Sequence, residues 1–351
     1  MKPTLIIDLR PIQSGQINGV TTSAKNWITD IIKNTEHKAD LILWTTGFKK
    51  PQIPKNWLKK NHVKHQHTKL PNKFLNLILS RTSLIKIDTL LKTKAHSYFC
   101  PDLRPFRLSK DCKSYMYIHD IAFIKFSKFY SFKSKLWYKL INARKIYQRA
   151  NVVLTNSEFS KSELIKQFGN QEIIVIHPYL KQNYKTKQKT ASPLKQPYFI
   201  AISTLQPRKN ISRLIKSFTK FNQDRKHNLV IIGSTENTFK KIRQPKNRNI
   251  HFLGYVKESL KKKFIQHAEG LIHIPLYEGY SLPILESLTL GTPVLASNIP
   301  PHREIYTEQI NYCVSSNCDQ ISAEIPKLLQ QKSVEFEKFV DRTKLTNLLL
   351  A

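Results

Sequence analysis

The sequence predicts an α/β protein of two doubly wound parallel-sheet domains facing each other across a cleft. Three observations carry that expectation. Apolar runs of strand length alternate with helix-length segments, the alternation occurs as two separate series, and a polar, basic, proline-bearing stretch, KQNYKTKQKTASPLKQP (Lys181–Pro197), lies between them. At 351 residues the chain has room for two ordinary domains, and 40% hydrophobic content supports a buried core without disulfides. Strands alternating with helices imply a sheet covered on both faces. Such sheets bind ligands beyond the C-terminal ends of their strands.

In the first series, strands are expected at Thr4–Asp8, Leu41–Thr45, Ser97–Cys100, Tyr115–Ile118, Val152–Thr155 and Ile173–Ile176. Helices are expected near Val20–Lys33, Lys133–Ala150 and Glu158–Phe168. The second series is cleaner, with strands at Tyr198–Ser203, Leu229–Gly233, Ile250–Leu253, Gly270–Ile274 and Pro293–Ala296. Ile211, Leu214, Ile215, Phe218 and Phe221 fall on one face of a helix after the first of these. The expected organisation is therefore a domain over 1–180, a linker over 181–197, a domain over 198–335 and a C-terminal helix over 336–351 that returns to the first domain.

The N-terminal MKPTLIIDLRP reads as a first strand rather than a signal peptide, and no run of eighteen apolar residues occurs, so a cytoplasmic protein is expected. Cys100, Cys112, Cys313 and Cys318 show no CxxC spacing and read as core filler. Lys+Arg 58 against Asp+Glu 24 gives +34. Such a surface attracts polyanions, and it is equally the surface of a chain that solvates itself with lysine. Between Asp120 and Glu158 no acidic residue occurs, and eight basic residues are interleaved with Phe123, Phe126, Phe129, Tyr130, Phe132, Trp137, Tyr138 and Tyr147. That mixture suits an anionic membrane surface, single-stranded nucleic acid, or a core-facing aromatic stripe with a solvated lysine face.

Chemistry concentrates at Glu278-Gly-Tyr-Ser-Leu-Pro-Ile-Leu-Glu286, followed by SLTLGTPVLAS. Gly279 frees the backbone to turn, Ser281 is an N-cap candidate, and Pro283 suits a first helical turn. Glu278 is then on a loop above the sheet and Glu286 about one turn into a helix. The amides of 279–282 form the positive end of that helix, where phosphate is favoured. Two carboxylates bracketing such a site make sense as partners for hydroxyls on either side of a diphosphate. A second element, Ser203-Thr-Leu-Gln-Pro-Arg208-Lys209-Asn210, places two cations on a strand-to-helix turn. A third, Tyr115-Met-Tyr-Ile-His119-Asp120, puts a histidine just past a strand.

These three segments resemble the family-four retaining glycosyltransferases of group 1, whose signature is E-x7-E. Gly279, Leu282, Pro283, Glu286, Gly291, Pro293 and Val294 match its motif in register, while Tyr280 stands for the usual Phe and Ser281 for a second Gly. The resemblance implies a GT-B arrangement of two Rossmann-like domains and assigns roles to residues. Glu286 would hold the ribose hydroxyls, Glu278 would sit under the transferred sugar, and Gly279, Tyr280, Ser281 and Leu282 would cradle its hydroxyls and the phosphates. Lys209, with Arg208 nearby, would neutralise the leaving diphosphate. His119 would contact the donor sugar, with Asp120 orienting its ring. Weaker matches add Gly19, in a glycine-bearing loop that begins at Gln16, and Tyr255 with Val256 near the base. The last forty or so residues match poorly.

No P-loop, G-x-G-x-x-G or Asp-x-Asp sequence occurs, so no metal pair and no cofactor are expected and the diphosphate charge falls to Lys209 and Arg208. The expected reaction moves a hexose, of mannosyl or glucosyl type, from a GDP- or UDP-sugar to a glycan or lipid-linked glycan with retention, in cell-surface polysaccharide or lipopolysaccharide synthesis. Expected partners are that donor, that acceptor and an anionic inner membrane face, rather than nucleic acid. The rival readings are a basic nucleic-acid-binding protein, a non-catalytic relative, and a sugar-nucleotide epimerase.

Overall fold

The structure, a computed structural model, describes residues 2–15, 18–181, 184, 191–233, 247–331 and 340–351. Gln16 of the expected glycine-bearing loop lies outside the described residues, as do 182–183 and 185–190 of the expected linker, the end of the expected second domain and the start of the expected C-terminal helix. The chain forms two parallel-sheet α/β units. One comprises residues 1–121, 135–178 and 340–351, the other residues 122–134 and 179–339.

In the first unit the strands are β1 (Thr4–Asp8), β2 (Asp40–Thr46), β3 (Val63–Thr68), β4 (Ser97–Cys100), β5 (Lys113–Tyr117), β6 (Val152–Thr155) and β7 (Ile173–Val175). They form a seven-stranded sheet in the order β3-β2-β1-β4-β5-β6-β7, and every neighbouring pair is parallel. The order reverses at β1, as in doubly wound sheets. The edge strand β3 was not expected, because VKHQHT carries only one apolar residue. It forms all the same, in register with β2 from Leu41↔Val63 to Thr46↔Thr68.

The helix expected over 133–150 is instead two helices, Phe132–Ile141 and Ala143–Arg149. Asn142 interrupts them in a left-handed conformation (φ 53°), and its side chain accepts from the Lys145 amide to start the second helix. Tyr130 and Tyr147 from the basic-aromatic stretch are buried, and Arg149 is tied to the Leu79 and Phe106 carbonyls. The helix Lys344–Leu350 also belongs to this unit, burying Leu345 and Leu349, and the Ser97 hydroxyl donates to the Leu349 carbonyl at 2.8 Å.

The second unit holds β8 (Tyr198–Ile202), β9 (Asn228–Ile232), β10 (Ile250–Gly254), β11 (Gly270–His273), β12 (Val294–Ser297) and β13 (Asn311–Cys313), in the order β10-β9-β8-β11-β12-β13 and all parallel. Alternate residues feed two cores. Tyr198, Ile200, Val230, Ile232 and Leu271 pack on one face, and Phe199, Ala201, Leu229, Ile231 and Ile272 on the other. Burial on both faces explains why these strands read as unbroken apolar runs. Helix Ile211–Phe221 covers the second face and helix Leu282–Thr289 the first.

Among the described residues no helix is long and apolar enough to cross a membrane, and no group of three or more His, Cys, Asp or Glu could hold a metal ion. Cys100, Cys112 and Cys313 are buried free thiols, and Cys318 is half-buried.

One glycine is fixed by close approach. The Ser203 amide donates to the Ile232 carbonyl, so the chain leaving β9 passes tightly under the chain leaving β8. A β-carbon on Gly233 would lie 1.7 Å from the Ser203 carbonyl oxygen. Gly233→Ala should therefore destabilise the protein by at least about 2 kcal/mol, seen as a drop of several degrees in the thermal midpoint. A midpoint within a degree or so of the parent would show that the two loops separate at little cost.

Candidate functional site

The C-terminal ends of β8 and β11 carry the site. After β8 the chain turns through Pro207–Lys209 in one 3-10 turn and enters helix Ile211–Phe221. Asn210 makes that turn in the left-handed region (φ 63°), where asparagine is among the most tolerant residues. Its side-chain amide donates to the carbonyls of Ile274 and Ser315, and the Leu276 amide donates to the Arg208 carbonyl. The turn is thereby sewn to the chain leaving β11, and Arg208 and Lys209 are delivered beside Glu278.

Glu278 is buried and fully committed. Its carboxylate takes an ion pair from Lys209 Nζ on one oxygen and from Arg208 Nη1 at 3.4 Å on the other, and Arg208 also donates to the Tyr277 carbonyl at 3.0 Å. His273 Nε2 lies 3.6 Å from the Lys209-bound oxygen. Burial alone would raise the Glu278 carboxyl, but Lys209 and Arg208 outweigh it and hold the group well below the usual carboxylate range. Two cations thus meet on one buried carboxylate. The sequence separates Arg208 and Lys209 from Glu278 by some seventy positions; the fold joins them.

Ser281 departs from its expected role. It occupies the N-cap position of helix Leu282–Thr289 but makes no side-chain cap bond. Its backbone is left-handed (φ 78°, ψ 76°), a conformation that costs a non-glycine residue roughly 1 kcal/mol or more. The hydroxyl instead bonds His273 and His302. Gly279 and Tyr280 are buried, Leu282 packs in the core and Pro283 lies in the first turn of the helix.

Glu286, in the second turn of that helix, meets Lys261 at 2.7 Å, and Lys261 also pairs with Glu258 at 3.1 Å. Burial pushes the Glu286 carboxyl up, and Lys261 offsets this only in part. Lys261 was not anticipated: it is one of three consecutive lysines in a chain of +34, and nothing local marks it. His273, His302 and Tyr306 were missed as well, although a histidine closing the apolar strand GLIH was a visible signal.

The remaining expected residues fall elsewhere. Gly19 is the first residue of helix Gly19–Asn34, whose N-cap is Asn18 in a capping box with Thr21. Tyr255 is exposed and Val256 half-buried, just beyond β10. His119 is in the first unit, its ring against Tyr117 and Trp27 at 4.7 and 5.8 Å between centroids. Its Nε2 bonds the Pro101 carbonyl at 3.0 Å. That bond orients the ring, rather than the Asp120 carboxylate alone. A carbonyl only accepts, so Nε2 carries the proton. Burial lowers the ring's pKa, which leaves Nδ1 an acceptor.

Both units are Rossmann-like α/β folds with fully parallel sheets. Residues 182–345 match the family described as Glycosyl transferases group 1. The chain is 26% identical over 246 residues to O-antigen chain mannosyltransferase B of Escherichia coli, covering 65% of this chain and 64% of that protein. It is 25% identical over 202 residues to O-antigen chain mannosyltransferase RfbU of Salmonella typhimurium, covering 56% and 55%. The chain thus spans less than two thirds of the length of these relatives. Among solved structures, sucrose-phosphate synthase from Thermosynechococcus elongatus superposes with a TM-score of 0.69 at 11% identity, over 99% of this chain and 95% of that one.

The Glu278 cluster makes stability pH-dependent in a defined direction. Its folded pKa is depressed, so the stabilisation is present above the unfolded value of about 4.5 and is lost as pH falls below it. Glu278→Gln should be less stable than the parent at pH 7, because two cations lose their buried anion. The gap between the two thermal midpoints should narrow steadily from pH 5 to pH 3. A gap that stays constant across that range would show that Glu278 is not ionised in the folded protein.

Proposed function

We propose that this protein is a retaining glycosyltransferase that moves a hexose, of mannosyl type before glucosyl, from a GDP- or UDP-sugar to a glycan or lipid-linked glycan. One observation carries the reading: Arg208 and Lys209 are held on a buried carboxylate at the mouth of a helix start, a preformed positive site of the kind a leaving diphosphate needs. The sequence likeness to O-antigen mannosyltransferases favours mannose and a surface-polysaccharide acceptor.

In this reading the bond between the anomeric carbon and the diphosphate breaks with its electrons going to the phosphate oxygen. Lys209, Arg208 and the amides of residues 279–282 stabilise the growing charge without a metal ion. Glu278 keeps both cations in place before the donor arrives, so little reorganisation remains at the moment of reaction. Glu286 takes the ribose hydroxyls, exchanging its contact with Lys261 for theirs. His119, neutral with Nδ1 as acceptor, is suited to take a hydrogen bond from a sugar hydroxyl. The acceptor hydroxyl attacks the same face that the diphosphate leaves, and its proton passes to the departing phosphate oxygen.

The test combines binding with turnover. GDP or UDP should raise the thermal midpoint, and transfer from the matching sugar nucleotide should persist in EDTA. Lys209→Ala should lower kcat by about 10²–10³ with a smaller change in donor affinity. No stabilisation by any sugar nucleotide, or a Lys209→Ala enzyme with normal kcat and only raised KM, would overturn the assignment.

A peripheral place on an anionic membrane is part of the proposal, resting on helix Phe132–Ile141. Phe132 is 79% exposed and Leu136 47%, one turn apart, and Lys133, Lys135 and Lys139 are exposed around them. Each such lysine contributes about 1 kcal/mol near an anionic surface. The same helix carries no acidic residue. Replacing Lys133, Lys135 and Lys139 with Glu should release the protein from vesicles containing phosphatidylglycerol and leave turnover on a soluble acceptor unchanged. Equal binding to neutral and anionic vesicles would overturn it.

A further inference from the structure

Ser281 sits where the backbone favours glycine, and its hydroxyl closes a buried hydrogen-bond chain whose polarity is fixed throughout. The chain begins at the Ser297 carbonyl, which can only accept, so His302 Nδ1, 2.8 Å away, carries its proton. His302 is buried; burial, with His273 beside it, drives its pKa down to about 3, and the ring is neutral. Its Nε2 is then an acceptor, and Ser281 Oγ donates to it at 2.8 Å. The oxygen of Ser281 in turn accepts from His273 Nε2 at 3.1 Å. The same nitrogen points its second contact at Glu278 Oε1, 3.6 Å away. A separate donor, the Tyr306 hydroxyl, holds the Ser281 carbonyl at 2.8 Å.

We propose that His302 and His273 are positioning residues that hold the turn from Glu278 to Leu282 in its working shape through Ser281. Ser281 is gripped at its hydroxyl by both rings and at its carbonyl by Tyr306. Those bonds offset the left-handed strain and fix the amides that precede helix Leu282–Thr289, while His273 also steadies the carboxylate that holds Lys209. A glycine would adopt the same backbone freely and would need neither histidine. Serine and His302 are therefore one coupled device, each costly without the other. The positioning role rests on the donor-site reading above; the coupling itself does not.

The experiment is a double-mutant cycle on the full chain: parent, Ser281→Gly, His302→Leu and the pair together. The thermal midpoint, calorimetric affinity for GDP and UDP, and kcat and KM for the sugar nucleotide are measured on the folded fraction. His302→Leu alone leaves the strained serine without its acceptor and should lower kcat about tenfold or more, with donor KM changed less than about threefold. Adding Ser281→Gly to it should restore kcat to within about threefold of the parent and recover most of the lost midpoint. Equal losses from His302→Leu with serine or with glycine at 281 would overturn the proposal. So would coupling in the midpoint with kcat unchanged, since the device would then be structural only. If the parent neither binds nor turns over any sugar nucleotide, the donor-site reading and the positioning role fall together. Coupled midpoints would in that case still establish the clamp.

Discussion

The second unit is organised around one buried carboxylate. Glu278 is useful because the chain around it leaves no choice about its charge: burial would neutralise it, and two cations forbid that. Once it is ionised, the turn at Arg208–Lys209 must stay against the loop after β11, and Asn210 supplies the neutral stitches that keep it there. A buried ion pair of this kind adds little net stability, because desolvation consumes most of the Coulombic gain. Its value is geometric. Residues far apart in sequence are brought to one place with their charges already desolvated and aimed.

The first unit offers a contrast. Asp8 and Arg10 form a fully buried pair at the end of β1, and Arg10 also donates to Asn76, Tyr98 and the Pro105 carbonyl. Burial works against both charges, yet each holds the other ionised, the carboxyl low and the guanidinium high. There the guanidinium is spent within the protein, and the pair ties β1 to β4, to helix Asn72–Arg81 and to the segment at Pro105. In the Glu278 cluster Lys209 and Arg208 both meet one buried carboxylate. The first pair builds the sheet end, and the second is the one proposed to meet an anionic ligand.

Much of this was legible in the residues, for identifiable reasons. Strands buried on both faces announce themselves as apolar runs, so β8, β9 and β11 could be placed within a residue or two. Two edge strands do not: β3 is mostly polar, and β13 has only three residues, whereas the edges β7 and β10 carry enough apolar residues to be read. The break at Asn142 was invisible because basic and aromatic residues continue through it, whereas the cause is one left-handed backbone. Around the site, Glu278, Glu286, Arg208 and Lys209 stood out by spacing, but their partners did not. Lys261 is hidden among identical neighbours. The role of His302 appears only when Ser281 is seen to bend left-handed and spend its hydroxyl away from its own helix.

The path of the chain has a consequence for how the molecule can be made. Residues 122–134 leave the first unit to join the second, and residues 340–351 return to finish the first. Neither unit is a single stretch of chain. On a ribosome, the segment that seals β4 against Leu349 emerges only after all of the second unit has been synthesised. The first unit therefore lacks helix Lys344–Leu350 until the chain is almost fully made. A cut between residues 178 and 179 would yield one fragment lacking its last helix and another lacking the segment 122–134, not two self-sufficient domains.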